Sequence, residues 1–274
     1  MEAKSTDSKM DGYPMRRAVM SLSGGMDSTA LLMRLLSKNF KTTCLTFDYG
    51  QKHSIEIDRA KANIEYLENN GLSVVHHVID LKPAMKSLNS ALISDEMNIP
   101  EGHYESDQMR QTVVPNRNAI FSSIIYAQAL SISSKESANV SIALGVHSGD
   151  HAIYPDCRPE FYTSLERAFS IGNWGSEKVS FHLPFIQWDK SRILVDAIES
   201  IKKLDLEFDI VFANTNTSYN PDSQGRSSGK SGADVERILA FHTIGRVDPV
   251  EYIGGWENAL SSAILTQKNF EVGI

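Results

Sequence analysis

Ser23-Gly24-Gly25-Met26-Asp27-Ser28 gathers two glycines, two hydroxyls and a carboxylate within one short stretch. Glycines permit backbone angles that other residues avoid and let a ligand approach the main chain closely. If a helix starts here, the loop amides and the helix N-terminus aim at one spot, which is an anion site by geometry. Ser23 and Ser28 add hydroxyl donors. Asp27 would repel a phosphate, unless it holds a Mg²⁺ that bridges to the phosphates. The plainer alternative is an ordinary helix start, with Asp27 or Ser28 as N-cap and Gly-Gly as a turn. The position straight after an apolar stretch, Ala18 to Leu22, favours the anion site.

Three further segments carry polar groups at comparable places: Phe47-Asp48-Tyr49-Gly50-Gln51-Lys52-His53 through Glu56, Val114-Pro115-Asn116-Arg117-Asn118, and Tyr154-Pro155-Asp156-Cys157-Arg158-Pro159-Glu160-Phe161. Arg117 can grip a phosphate or carboxylate with two parallel bonds, and Lys190 offers a further positive charge. Each has a plainer reading. Arg117 could cap or pair at a helix start, Lys190 could sit on a solvated helix face, Asp48 could be a turn residue, and Tyr154-Pro155 could anchor a loop. Cys157 reads as a small buried residue rather than a nucleophile. His53 and His147 read as structural, and the rings of His76 and His77 point to opposite faces of a strand.

The elements that must position these groups follow from periodicity. Short apolar runs predict strands at 18–22, 42–47, 74–79, 139–146 and 181–185. Helical spacing predicts helices from Ser28, over about 54–67, 118–131, 161–169 and 193–201, and a last one at 235–244. Residues 82–113 read as a long loop or insertion with room for one short helix, and 214–233 as an Asn/Ser/Gly-rich loop. Alternating strands and helices imply an α/β fold, a doubly wound, mostly parallel sheet, whose ligands sit beyond the carboxyl ends of the strands. All four polar segments fall at such ends or at helix starts. The expected division is a loose tail at 1–16, an α/β domain at 17–213 and a small helical C-terminal extension at 214–274.

Composition excludes several classes. With 27 Lys+Arg against 34 Asp+Glu the net charge is -7, which argues against duplex nucleic acid as a partner. No run approaches the ~20 apolar residues of a membrane span, and residues 1–16 show no signal-peptide core. Two cysteines, Cys44 and Cys157, cannot form a four-cysteine zinc site. A cytoplasmic location is the expectation.

The SGGxDS stretch resembles the PP-loop signature of the ATP pyrophosphatases, with their adenine nucleotide alpha hydrolase-like fold. The four segments together, with Asp248-Pro249-Val250-Glu251-Tyr252, resemble QueC, the 7-cyano-7-deazaguanine synthase family, over about residues 18–255. The Tyr154–Phe161 octet is the most specific part. The resemblance implies an ATP-dependent carbon–nitrogen ligase, with ATP and Mg²⁺ as cofactors. ATP would adenylate the carboxylate of 7-carboxy-7-deazaguanine, releasing pyrophosphate, and ammonia would displace AMP to give an amide that a second ATP dehydrates to a nitrile. It further implies that Ser21, Ser23, Gly24, Gly25, Asp27, Ser28, Phe47, Asp48, Tyr49 and Gln51 hold the nucleotide. Asp27 with its metal, Arg117 and Lys190 would act in catalysis, and Tyr154, Asp156, Arg158 and Glu160 would bind the deazaguanine acid. The resemblance also implies an assembly, a homodimer or something larger.

One departure stands out. The family's structural zinc is held by one Cys in T-x-S-C-Y-N and three in C-G-x-C-x-x-C, whereas the ligand positions here are Ser218, Ser228, Ser231 and Asp234. Serine hydroxyls are poor zinc ligands at neutral pH, so no zinc is expected. The 214–233 loop must then be held by packing or a partner, or be mobile. The departure leaves open a QueC-like anti-phage protein, of CBASS or Qat type, that joins the deazaguanine carboxylate to an amine of a partner protein. It also leaves open a non-catalytic nucleotide-binding accessory. A tRNA-thiolating PP-loop enzyme fits less well, for want of a basic tract and a catalytic-cysteine motif.

Overall fold

The computed structural model describes residues 16–52, 55–94, 97–103, 105–219 and 221–273, with residue 107 in its backbone alone. The tail expected at 1–16 lies outside these residues except for Arg16, as do His53 and Asn220. In chain order the elements are β1 (Arg16–Ser21), α1 (Met26–Ser37), β2 (Phe40–Asp48), α2 (Ile55–Asn69), β3 (Val75–Asp80), α3 (Lys82–Met85), α4 (Arg117–Glu136) and β4 (Val140–Ala143). Then come α5 (Pro159–Gly172), β5 (Val179–His182), α6 (Lys190–Lys203), α7 (Phe208–Ala213), α8 (Gly232–Thr243) and α9 (Trp256–Glu271). The strands pair in the order β3-β2-β1-β4-β5, and every pairing is parallel.

Helices cover both faces because strand side chains alternate. Ala18, Met20 and Leu22 face one core with the apolar stripes of α1, α2 and α6, while Val19 faces the other with Leu45, Phe47, Ile142 and the Ile125–Ala129 stripe of α4. The doubly wound parallel sheet expected from the alternation is the observed fold. Strand order reverses between β1 and β4, so a crevice opens beyond their carboxyl ends. Among the described residues no helix is long and apolar enough to cross a membrane.

Several boundaries differ from the expectation. β4 ends at Ala143 rather than near Val146, because Leu144 to Val146 leave the sheet to line the crevice. Helices α7 and α9 are not among the expected elements. α7 is short and adds Phe208, Val211 and Phe212 to the first core. α9 buries only Ala259 and Ala263 against Val235 and Ile238 of α8, too sparse a stripe for periodicity to single out. α8 starts earlier than expected, at Gly232, because Ser231 and Asp234 form a reciprocal capping box.

The loop before α8 is pinned by a buried ion pair. Arg237 and Asp248 are 0% and 3% exposed; Arg237 Nε donates to Asp248 Oδ2 at 2.6 Å and Nη2 to Oδ1 at 2.8 Å. Arg237 Nη1 also donates to the hydroxyls of Thr215 and Thr217 at 2.8 and 3.0 Å, and the Tyr252 hydroxyl donates to Asp248 at 2.7 Å. Removing one member strands the other charge out of water. Arg237→Ala or Asp248→Ala is expected to cost roughly 3–5 kcal/mol of folding stability, read from the denaturant midpoint followed by tryptophan fluorescence.

Candidate functional site

The Gly24–Ser28 turn connects β1 to α1 at the crevice. Gly24 sits at φ +86°, and a Cβ there would overlap the carbonyl oxygen of Glu56 at the start of α2. Glycine is therefore required twice over, by conformation and by space. The N-cap of α1 is Gly25, with no side-chain cap. Asp27 and Ser28 are thus not N-caps, and the first helical turn offers its amides to an anion. Ser28 instead ties the turn to itself: its hydroxyl lies 2.9 Å from the Ser23 hydroxyl and accepts from Ser23 N–H at 3.1 Å.

Asp27 is the hub of the charges. Its Oδ2 lies 3.6 Å from Lys190 Nζ and 3.7 Å from His147 Nε2, and Lys190 Nζ meets Glu236 at 2.8 Å. Lys190 is 5% exposed, so it is a buried cation held by two carboxylates and not a solvated helix residue. Burial opposes its charge, yet Asp27 and Glu236 outweigh that and raise its pKa. His147 Nδ1 accepts from Gly149 N–H at 3.1 Å, which turns Nε2 toward Asp27 and toward Asp150 at 3.5 Å. Asp27 Oδ1 is buried and has no hydrogen-bond partner. An unshared carboxylate oxygen beside an open helix N-terminus suits a Mg²⁺ carried in with phosphates.

The opposite wall comes from β2, α2 and α4. Phe47, Tyr49, Gln51 and Glu56 line the same cavity as Ser21, Ser23, Gly25 and Asp27. Arg117 opens α4 after Asn116, whose left-handed φ of 57° turns the chain into the helix. Its guanidinium lies 5.9 Å from the Tyr49 ring centre, with Nη1 3.5 Å from the phenol oxygen. Burial pushes the Glu56 carboxyl up to about 7, with Arg117 opposing the rise. Asp48 does not line the cavity but pairs with Lys82 at 2.6 Å.

The octet is divided. Cys157 lines the cavity, and burial pushes its thiol well above the usual range, as it does for Cys44. Asp156 stands one step back and accepts from Asn118 N–H at 3.3 Å, at the start of α4. Tyr154 is buried behind the wall, its hydroxyl 2.5 Å from that of Thr112. Arg158 and Glu160 are exposed, and Arg158 Nε donates to the His151 carbonyl at 2.8 Å.

A family model described as queuosine biosynthesis protein QueC matches residues 17–245. The chain belongs to the QueC family. It is 39% identical over 241 residues to 7-cyano-7-deazaguanine synthase 2 of Colwellia psychrerythraea, covering 87% of this chain and 99% of that one. It is 36% identical over 236 residues to the 7-cyano-7-deazaguanine synthase of Methanoregula boonei, covering 86% and 99%. An NMN synthetase from Francisella tularensis is a much looser structural likeness, with TM-score 0.38 and 20% identity over 85% of this chain and 79% of that chain.

Within this QueC-family site, sequence patterns alone pass over Glu236, Asp150 and the role of His147. Asp150 lies three residues after His147 beyond β4, a spacing that could mark the pair. Glu236 has no local signal, because α8 brings it to Lys190 from far along the chain. Glu56 stands out in the sequence only as the end of a segment. Its pKa near 7 against an ordinary 4.5 means the ionised carboxylate disfavours the fold, so stability should fall as pH rises between those values and level off above. Melting temperatures from pH 5 to 8 should show Glu56→Gln gaining on the parent protein across that window, with no gain if the carboxyl ionises normally.

Proposed function

We propose that this chain is an ATP-dependent carbon–nitrogen ligase that adenylates the carboxylate of 7-carboxy-7-deazaguanine and passes the acyl group to an amine. The observation that carries this reading is the convergence of the open α1 amides, Asp27, Lys190 and Arg117 on one cavity at the point where strand order reverses. The names of the relatives support the choice of substrate.

The chemistry asks for positive charge at defined places. A carboxylate oxygen attacks the α-phosphorus in line, the P–O bond to pyrophosphate breaks, and the acyl adenylate forms. The amides of the glycine turn would hold the departing phosphates, and Lys190 would add a fixed charge beside them. A Mg²⁺ bound at Asp27 would neutralise the triphosphate. Arg117, seated over Tyr49, would grip the carboxylate or the α-phosphate, and Phe47, Tyr49 and Gln51 would hold the nucleoside. The amine then attacks the acyl carbon, AMP leaves with the bonding pair, and the nitrogen loses a proton to give the amide. Asp156 would support the substrate wall through Asn118. Roles for Tyr154, Arg158 and Glu160 would be exerted from behind or beside that wall.

A protein amine in place of ammonia is a second reading, favoured by one feature. Thr217, Ser218 and Tyr219, from the segment that departs from the zinc-bearing pattern, form part of the cavity wall. Mass analysis after incubation with ATP, Mg²⁺, 7-carboxy-7-deazaguanine and ammonia separates the readings. A nitrile or free amide supports the first. AMP and pyrophosphate without either product support an adenylate that awaits another amine, and no substrate-dependent pyrophosphate overturns both. Asp27→Asn should lower that pyrophosphate release by roughly 100-fold or more with circular dichroism unchanged; retained release would remove Asp27 from the metal site.

A further inference from the structure

Asp234 is fully buried in the first turn of α8, and one of its oxygens gathers the preceding loop. Its Oδ2 accepts from the hydroxyls of Ser218 at 3.0 Å, Ser228 at 3.0 Å and Ser231 at 2.8 Å, and from Ser231 N–H at 3.2 Å. Burial raises its pKa, and the donors oppose that rise. These are the four positions at which the family resemblance implies zinc ligands. Three hydroxyls, whose protons are committed to the carboxylate, and one carboxylate do not suit zinc. The loop is nonetheless held, by charge-assisted hydrogen bonds.

One hydrogen-bonded route runs from this hub to the glycine turn, and the helix it caps carries a second contact to the site. On one side, Asn216 Nδ2 donates to the Ser218 carbonyl at 2.9 Å, and Asn216 N–H donates to the Gly24 carbonyl at 2.9 Å. On the other side, Glu236 follows Asp234 by two residues on α8 and meets Lys190, which lies 3.6 Å from Asp27. The backbone of the turn therefore traces back to this carboxylate through hydrogen bonds, whereas Glu236 shares only the helix that Asp234 caps.

We propose that Asp234 is a positioning residue. Its hydrogen-bonded hub works without a metal and sets the glycine turn through Ser218 and Asn216. This rests on the reading that the glycine turn binds ATP. Asp234→Asn removes the charge at the hub and leaves a neutral amide oxygen as the only acceptor for its donors. Val179→Ala, a cavity on the edge strand β5, serves as a destabilised control. Three readouts apply: Mg·ATP affinity by calorimetry, amide exchange over residues 23–28 by mass spectrometry, and zinc content of the purified protein.

Asp234→Asn is expected to weaken Mg·ATP binding about tenfold and to speed exchange at the turn. Val179→Ala should lose melting temperature and change neither. Unchanged affinity and exchange in Asp234→Asn would reduce the hub to a structural staple and overturn the proposal. Stoichiometric zinc in the parent protein, lost in Asp234→Asn, would overturn it as well. If the parent protein binds no Mg·ATP, the functional reading fails and the exchange readout alone decides the hub. If Asp234→Asn does not fold, Ser228→Ala removes a single donor and is judged by the same readouts.

Discussion

An ammonium group taken out of water must meet carboxylates or lose its proton, and Lys190 is such a group. It starts α6, yet its charge is shared with Asp27 at the start of α1 and Glu236 in α8. Three helices distant in sequence are thereby fixed at one point. Neither carboxylate can move away without stranding a buried cation, so Asp27 keeps one oxygen turned to Lys190 and His147 and the other unshared. In the proposed function, that division is what leaves Asp27 an oxygen for a cation.

Close approach is the second constraint. The Glu56 carbonyl presses on Gly24 from one side, and Asn216 N–H holds the Gly24 carbonyl from another. Gly145, beyond β4, lies so near the Asp27 backbone that a Cβ would sit at 3.1 Å. The turn is thus held by its surroundings as well as by its own hydrogen bonds. Arg237, buried against Asp248 and the threonines at 215 and 217, holds the loop that supplies Asn216. Here a stretch rich in Asn, Ser and Gly is ordered by buried partners and not by local preference.

Much of the site is legible in the order of residues alone. Glycines, serines and an aspartate between a strand and a helix mark either an anion site or a plain helix start, and strand alternation with helical stripes specifies the doubly wound sheet. Local patterns mislead where contacts are long-range. Lys190 sits at the first position of a helix, where a lysine alone looks solvated. Ser218, Ser228, Ser231 and Asp234 look like the remains of a metal site, while Ser231 and Asp234 at capping-box spacing carry a signal of their own. The octet looks like a continuous ligand surface, whereas a short turn and the start of α5 send Tyr154 inward and Arg158 outward.

What the sequence determined by itself is the alternation of strands and helices through the sheet, its parallel pairing, the glycine turn between β1 and α1 and the family. These depend on residue types at short spacing, where periodicity and backbone freedom act directly. What only the tertiary structure decided is which groups meet at the crevice: Glu236 on Lys190, His147 near Asp27, Asn216 N–H on the Gly24 carbonyl. Those pairs lie tens to hundreds of residues apart along the chain, and their energies come from desolvation and direct contact, which exist only once helices from distant segments have packed on one sheet.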